Sequence, residues 1–280
     1  MEKVDFSIND KMYEVSVKGS PPLQYGKDEV LSTNETDIAF NQPWYDEGYK
    51  AINFLNEEEF KNVSSGLSKC IQSIIASELG IEVENFEMSK YHHVVKTAEE
   101  HYKVVGKTRD LFPEDFHFPI AELTPRFENI LGFKLTDIDP YDGVKLHIII
   151  RINRPLSTDY NPPHKDIYEG VDNHGYIPQF INFWIPICGV TPKSSLPVAA
   201  SSHLLPENQI LRTFDGGVVG GNKYRVRMIA EWGGSHNLTR PVVNYGEVLF
   251  FSSHLVHGLA INEEEDQTRV ALEFRLFKQN

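Results

Sequence analysis

The chain changes character near residue 140, and this change limits its fold more than any other feature. Beyond it, five segments are rich in β-branched and aromatic residues: 145–153 (KLHIIIRIN), 180–187 (FINFWIPI), 224–231 (YRVRMIAE), 247–252 (EVLFFS) and 270–277 (VALEFRLF). Clusters of Gly, Pro, Asn and Asp separate them. Strands at this spacing, with no helices between them, imply an antiparallel barrel or sandwich. Before residue 140 the apolar spacing is helical. Asn56 can cap a helix, and Glu57, Glu58 and Glu59 suit the positive end of its dipole. Phe60, Val63, Leu67, Cys70, Ile71, Ile74 and Ile75 then recur every three or four positions, with Gly80 as the stop. Two further helices are expected. One covers about 89–105, with Tyr91, Val94, Val95, Tyr102 and Val105 on one side. The other covers about 119–131, with Ile120, Leu123, Phe127, Ile130 and Leu131. Residues 1–55 read as polar and irregular, with short strands such as 11–17.

We therefore expect one domain over 1–280: a mostly helical support region over about 1–140, packed outside a β core over about 141–280. A chain of 280 residues can build such a core. Its 27 Lys+Arg against 40 Asp+Glu leave a net charge of −13. That argues against nucleic acid and against anionic membrane surfaces, which need clustered cations. No apolar run approaches the roughly 20 residues that span a bilayer. The first residues are charged where a signal peptide is apolar. The two cysteines, Cys70 and Cys188, cannot staple a secreted scaffold. A reduced, cytoplasmic compartment is the expectation.

Two short segments carry the chemistry. The first is Asn161-Pro162-Pro163-His164-Lys165-Asp166. In extended chain, residues two apart point the same way, so His164 and Asp166 present an imidazole and a carboxylate on one face. The second, 246–258, ends a buried-looking strand with His254 and His257. These two have opposite parity, so only one faces the interior. The glycine after His257, and the Arg269 that follows twelve positions later, favour His257. His254 is then a solvated or supporting residue. Two histidines and one carboxylate on one metal form the facial triad of non-haem Fe(II) oxygenases, which leaves coordination positions open. Arg269, at the start of the next strand, would lie near that metal and could hold a carboxylate in a bidentate pair. Arg275 shares its parity but lies six residues on, roughly 20 Å away, and reads as a structural ion pair. Lys145, His147, Arg151 and Asn153 share one strand face, and its Asn153 end could border a polar pocket. His92, His93 and His101 read as ordinary helix residues. His203 reads equally as pocket wall or surface loop, and 263–266 as a solvated acidic turn.

This arrangement resembles the Fe(II)/2-oxoglutarate-dependent dioxygenases, and within them the phytanoyl-CoA-hydroxylase-like branch. The matching segments are PPHKD (162–166), NFWIPICGVTPKSSLPVAASSH (182–203), GEVLFFSSHLVHG (246–258) and TRVALEFR (268–275), so the resemblance covers about 143–277. It implies a double-stranded β-helix (jelly-roll, cupin-like) core. It implies Fe(II) on His164, Asp166 and His257, with 2-oxoglutarate as cosubstrate and its distal carboxylate on Arg269. Asn182 and Asn153 are candidate cosubstrate contacts. Trp184, Tyr168 and Ser202 are candidate substrate contacts. The reaction implied is O₂-dependent oxidation of a small molecule, with succinate and CO₂ as co-products. The sequence departs from the pattern at Leu259, where this branch often has a Ser that helps hold 2-oxoglutarate, which leaves that task to Asn153 or Arg151. Ala199-Ala200-Ser201 replaces its Pro-Gly. Asp166 is the carboxylate that halogenating relatives lack, which favours hydroxylation. Segments 20–50, 167–178 and 204–222 are candidates for a substrate lid. Two other readings stay open. One is a zinc-dependent hydrolase on the same three ligands, for which Arg269 is not needed. The other is a non-catalytic jelly-roll binding protein.

Overall fold

A computed structural model describes residues 2–279. The fold is mainly β with few helices. Four strands already lie in the first 55 residues: β1 (Lys3–Ile8), β2 (Lys11–Ser16), β3 (Gln24–Tyr25) and β4 (Tyr49–Asn53). The expectation of an irregular start to a mostly helical half is corrected here. β1 and β2 form a hairpin whose turn is Asn9-Asp10, both at positive φ (49° and 64°). Such a two-residue turn matches the strand twist, and Asn and Asp tolerate it better than most residues. Val4, Phe6 and Ile8 bury one side of the hairpin.

The first helix forms as its termini dictate. In α1 (Glu57–Leu79), the Asn56 side chain accepts from the Glu59 N–H at 3.0 Å and Glu59 returns a bond to the Asn56 N–H at 2.8 Å. Gly80 closes it at φ 67°. The expected helix over 89–105 is two: α2 (Tyr91–Val94) and α3 (Ala98–Thr108). Thr97 starts the second with its own capping box to Glu100. The restart changes the phase, so Tyr102 points outward at 78% exposure and His101 is buried in its place. α4 (Leu123–Leu131) begins after a 3₁₀ turn and leaves Ile130 at its rim.

The remaining elements are β5 (Leu135–Thr136), β6 (Ile149–Asn153), α5 (Tyr168–His174), β7 (Phe180–Cys188), β8 (Ile210–Arg212), β9 (Gly217–Val219), β10 (Asn222–Tyr224), β11 (Ile229–Trp232), β12 (Asn237–Leu238), β13 (Glu247–Ser252) and β14 (Arg269–Lys278). Two expected strands are shorter than their sequence suggests. Residues 145–148 make only isolated bridges, to Ile138 and Leu111. The segment 224–231 breaks because Arg225 and Arg227 turn to meet Glu169, Asp172 and Asn173.

A six-stranded sheet runs β4-β13-β7-β14-β5, with β6 also on β14. Strand β7 lies at its centre and is buried along all but its last residue. Ile181, Phe183, Ile185 and Ile187 turn toward the helices. Phe127 of α4 stacks between Phe54 and Phe183, with centroids 4.6 and 4.1 Å away, and meets Phe250 and Phe274 edge-on. The alternate residues face inward, where Trp184, Leu249, Phe251 and Ala271 pack against Leu196, Val198, Leu255 and Ala260. Those partners belong to a sparser second layer, a run of single bridges His164–His257, His257–Val198 and Val198–Thr239. Beside Thr239, β12 continues into β1 and β2. Among the described residues, no helix is long and apolar enough to cross a membrane.

Two buried histidines are corrections to the sequence reading. His101 lies 3.1 Å from the Tyr91 hydroxyl and 3.2 Å from Asp159. His203 is neither surface loop nor pocket wall. It is fully buried, edge-on to Tyr45, with neither ring nitrogen hydrogen-bonded. Burial pushes both down to about 4. Each therefore binds a proton more readily in the unfolded chain, whose value is near 6.5. Their contribution to stability is complete above about pH 6.5 and is lost as the pH falls toward 4. Urea unfolding from pH 7 to pH 4.5 should show stability falling by up to about 1.4 kcal/mol per pH unit per histidine. His101→Gln should flatten that slope.

Candidate metal centre

The ligand segment around His164 is held by the backbone before any side chain acts. His164 N–H donates to the His257 carbonyl at 2.9 Å, and His257 N–H donates back at 3.0 Å. This antiparallel pair sets the two imidazoles side by side, with ring centroids 4.4 Å apart. Each ring is then oriented by a carbonyl two residues earlier. His164 Nδ1 lies 2.7 Å from Pro162 O, and His257 Nδ1 lies 3.0 Å from Leu255 O. A carbonyl can only accept, so Nδ1 carries the proton and each Nε2 presents a lone pair. Both Nε2 atoms face Asp166, at 3.5 Å from Oδ1 and from Oδ2 respectively. The three side chains are almost completely buried, and their ligating atoms lie within 4.8 Å of one another.

Asp166 is fixed from the sheet. Its Oδ2 accepts from Asn182 Nδ2 at 2.9 Å and its Oδ1 from Arg275 Nη2 at 2.8 Å. Asn182 and Arg275 are direct cross-strand partners on β7 and β14. Burial pushes the carboxyl up, but the Arg275 charge, followed by His257 and His164, outweighs it and holds Asp166 well below the usual carboxylate range. Burial pushes His257 down to about 4, against the pull of Asp166. At neutral pH Asp166 is thus a carboxylate and His257 a neutral imidazole, the protonation a divalent metal requires of such ligands. A carboxylate has about four lone-pair sites, so both existing bonds leave room for a metal.

Arg275 makes the ion pair expected of it, but with Asp166 at the centre rather than far from it, because the chain carrying Asp166 meets the sheet at the Asn182–Arg275 pair. His254 is not solvated either: it is fully buried in the turn that follows β13, with Nε2 3.2 Å from Thr36 O. His92 and His93 converge on Asp266, at 2.9 and 2.8 Å, as a second His-His-Asp group. That group is exposed and shares its carboxylate with Lys90. The acidic turn is therefore tethered, with Glu263 paired to Lys11 as well.

His164 and His257 line an open cavity with Arg109, Arg151, Asn153, Asp159, Arg269 and Glu273. Arg269 is 2% exposed. It donates to Ser194 O at 3.3 Å and to Asn153 Oδ1, and among the described residues its Nε has no partner and no carboxylate pairs with it. Asn153 thus positions Arg269, and Asn182 positions Asp166. Trp184 lies buried behind Arg269, its ring centroid 5.9 Å from the guanidinium. The structure does not bring Tyr168 or Ser202 to the cavity. Tyr168 is fully buried and donates to Glu207 at 2.7 Å. Ser202 accepts from the Val256 N–H at 2.9 Å.

No protein-family model matches the chain, and no curated protein matches it. Among solved structures, the chain is similar to the non-haem monooxygenase ThoJ in its apo form, at 15% identity over 86% of this chain and 77% of that one, with a TM-score of 0.47. It is similar to EctD from S. alaskensis in its apoform, at 13% identity over 91% and 84%, with a TM-score of 0.47. It is similar to the non-haem alpha-ketoglutarate-dependent carbocyclase SnoK from nogalamycin biosynthesis, at 15% identity over 90% and 87%, with a TM-score of 0.44.

Gly258 gives the pairing its most sensitive point. Its φ is +126°, and a Cβ there would lie 2.4 Å from Pro162 O, the carbonyl that orients His164. Gly258→Ala should therefore cost at least about 2 kcal/mol of stability in urea unfolding. It should also weaken divalent-metal binding by calorimetry at least tenfold, through the displaced His164 ring.

Proposed function

We propose that the protein is an Fe(II)- and 2-oxoglutarate-dependent oxygenase acting on a small molecule, on a double-stranded β-helix whose two layers are the six-stranded sheet and the bridge run through His164, His257 and Val198. One observation carries this reading. His164 and His257, whose Nε2 atoms lie close to the Asp166 carboxylate, line the same cavity as a buried guanidinium with no carboxylate partner among the described residues. A buried unpaired charge costs several kcal/mol, and a dicarboxylate bound there would offset that cost. A zinc hydrolase on the same ligands needs no such arginine, so Arg269 weighs for the keto-acid.

Fe(II) with 2-oxoglutarate supplies O₂ activation coupled to oxidative decarboxylation of the keto-acid, giving succinate and CO₂. The residues of the chain bind and orient. His164, Asp166 and His257 would hold the metal, and three protein ligands would leave room on it for the keto-acid and O₂. Arg269, held by Asn153 and Ser194 O, binds the distal carboxylate in a fixed register. Arg275 and Asn182 keep Asp166 ionised and stop it from rotating. Trp184, Leu196 and Ala260 keep the inner side of the site dry, which strengthens each electrostatic contact. Hydroxylation of an unactivated C–H bond is the reaction that fits a retained Asp166.

Anaerobic titration with Fe(II) and 2-oxoglutarate should give the weak visible band of a keto-acid chelated to ferrous iron. The band should disappear in His257→Ala and persist in His254→Gln. Arg269→Gln should keep iron binding and weaken 2-oxoglutarate about 30-fold or more, the equivalent of a lost buried charge pair of at least about 2 kcal/mol. Stoichiometric zinc binding with no band in the wild type would overturn the proposal.

A further inference from the structure

The charges around the cavity do not balance. Five ionised side chains line it beside the triad: Arg109, Arg151, Arg269, Asp159 and Glu273. Both anions are already neutralised. Asp159 takes a two-pronged contact from Arg154, at 2.9 and 3.1 Å, and lies 3.2 Å from His101. Glu273 pairs with Arg151 at 2.7 Å. Two guanidinium groups remain without a carboxylate, Arg269 and Arg109. Arg269 is deep and held by neutral oxygens. Arg109 follows α3 at the mouth of the cavity, and among the described residues it has neither a hydrogen bond nor an ion pair. The side chains of Tyr160 and Asn161 line the same mouth, and they too make no hydrogen bond to a described residue.

If 2-oxoglutarate binds as proposed above, one of its carboxylates meets the metal and the other meets Arg269. Nothing in the cosubstrate is then left for Arg109. We infer that Arg109 is the anchor for an anionic group on the substrate, a carboxylate or a phosphate ester, with Tyr160 and Asn161 as its hydrogen-bonding neighbours. The inference rests on the oxygenase reading for its assignment to substrate, though the anion site itself stands on the charge balance. An open guanidinium fork matches either anion in a two-pronged contact. Its surroundings favour such a ligand: the protein carries −13 overall, yet this mouth presents an uncompensated cation.

The test is calorimetry with propionate and, separately, methylphosphonate as probes. Both are titrated into the metal-free protein and into the anaerobic Fe(II)·2-oxoglutarate complex. Arg109 holds no structural contact, so Arg109→Gln should fold normally. The expected result is one anion bound per chain in the loaded complex, at least tenfold weaker in Arg109→Gln and largely restored in Arg109→Lys. The visible band of the loaded complex should be unchanged in both variants. Arg225→Gln, which alters an exposed arginine paired with Glu169, should bind like the wild type. Tighter propionate marks a carboxylate substrate, and tighter methylphosphonate a phosphate ester. Failure of both anions to bind the wild type, or equal binding in Arg109→Gln, overturns the inference. Arg109-dependent binding in a protein that forms no band would instead sink the oxygenase reading and keep the anion site. Loss of the band in Arg109→Gln would place Arg109 on the cosubstrate and overturn its assignment to substrate.

Discussion

Two backbone hydrogen bonds, between His164 and His257 in both directions, are the contact on which the rest of the molecule depends. They form the isolated bridge that joins the two ligand segments. Everything else at the centre presupposes them. The carbonyls of Pro162 and Leu255 can orient the rings only if the two extended segments lie side by side. Asp166 reaches the Asn182–Arg275 pair only because the same segment then runs on across the sheet. The N–H of Asp166 continues the interaction by donating to Ser253 O at 3.0 Å. The helices, by contrast, serve the site at one remove: by covering Phe183, Phe250 and Phe274 they keep the outer face of the sheet dry and its inner face in place.

Much of this was legible before any coordinates, where the signal was local. Asn56, Glu59 and Gly80 delimit α1 because caps act within a single turn. His164 and Asp166 share a face because extended chain has a period of two, and His257 is chosen over His254 by the glycine after it and the Arg269 twelve positions on. What was not legible depended on relations between distant segments. That Arg275 meets Asp166 follows from its register against Asn182, which no spacing within β14 reveals. Tyr168 resembled a pocket residue by its nearness in sequence to the triad, but α5 turns it away from the cavity. The split of 89–105 had a signal, the Thr97 to Glu100 capping box, which the continuous apolar pattern outweighed. The Asn9-Asp10 turn had one too, weaker than Asn-Gly.

The centre also shows how polar groups are kept apart by the two faces of one strand. His164 and Asp166 point toward the metal position, and Lys165 between them points the other way. Lys165 is 2% exposed and pairs with Glu207 at 2.8 Å. Tyr168 donates to the same carboxylate, and the Arg212 guanidinium lies over the Tyr168 ring, 3.8 Å from its centroid. Arg212 in turn grips Asp172 with both terminal nitrogens. Such a network adds little net stability compared with an apolar core. It makes one arrangement far better than its neighbours, because every partner is charged or hydrogen-bonded.

Glu207 sits on the connection that precedes β8, and its backbone is gripped as well, by the N–H of Gly26 and the carbonyl of Glu29. Swinging that connection outward would strand the Lys165 ammonium in a dry interior, at about 3–5 kcal/mol. An open state on that side would then be populated at only about one part in 10²–10⁴. This wall therefore behaves as a fixed jaw rather than a flap. Arg109, Tyr160 and Asn161, by contrast, line the cavity with side chains that make no hydrogen bond to a described residue.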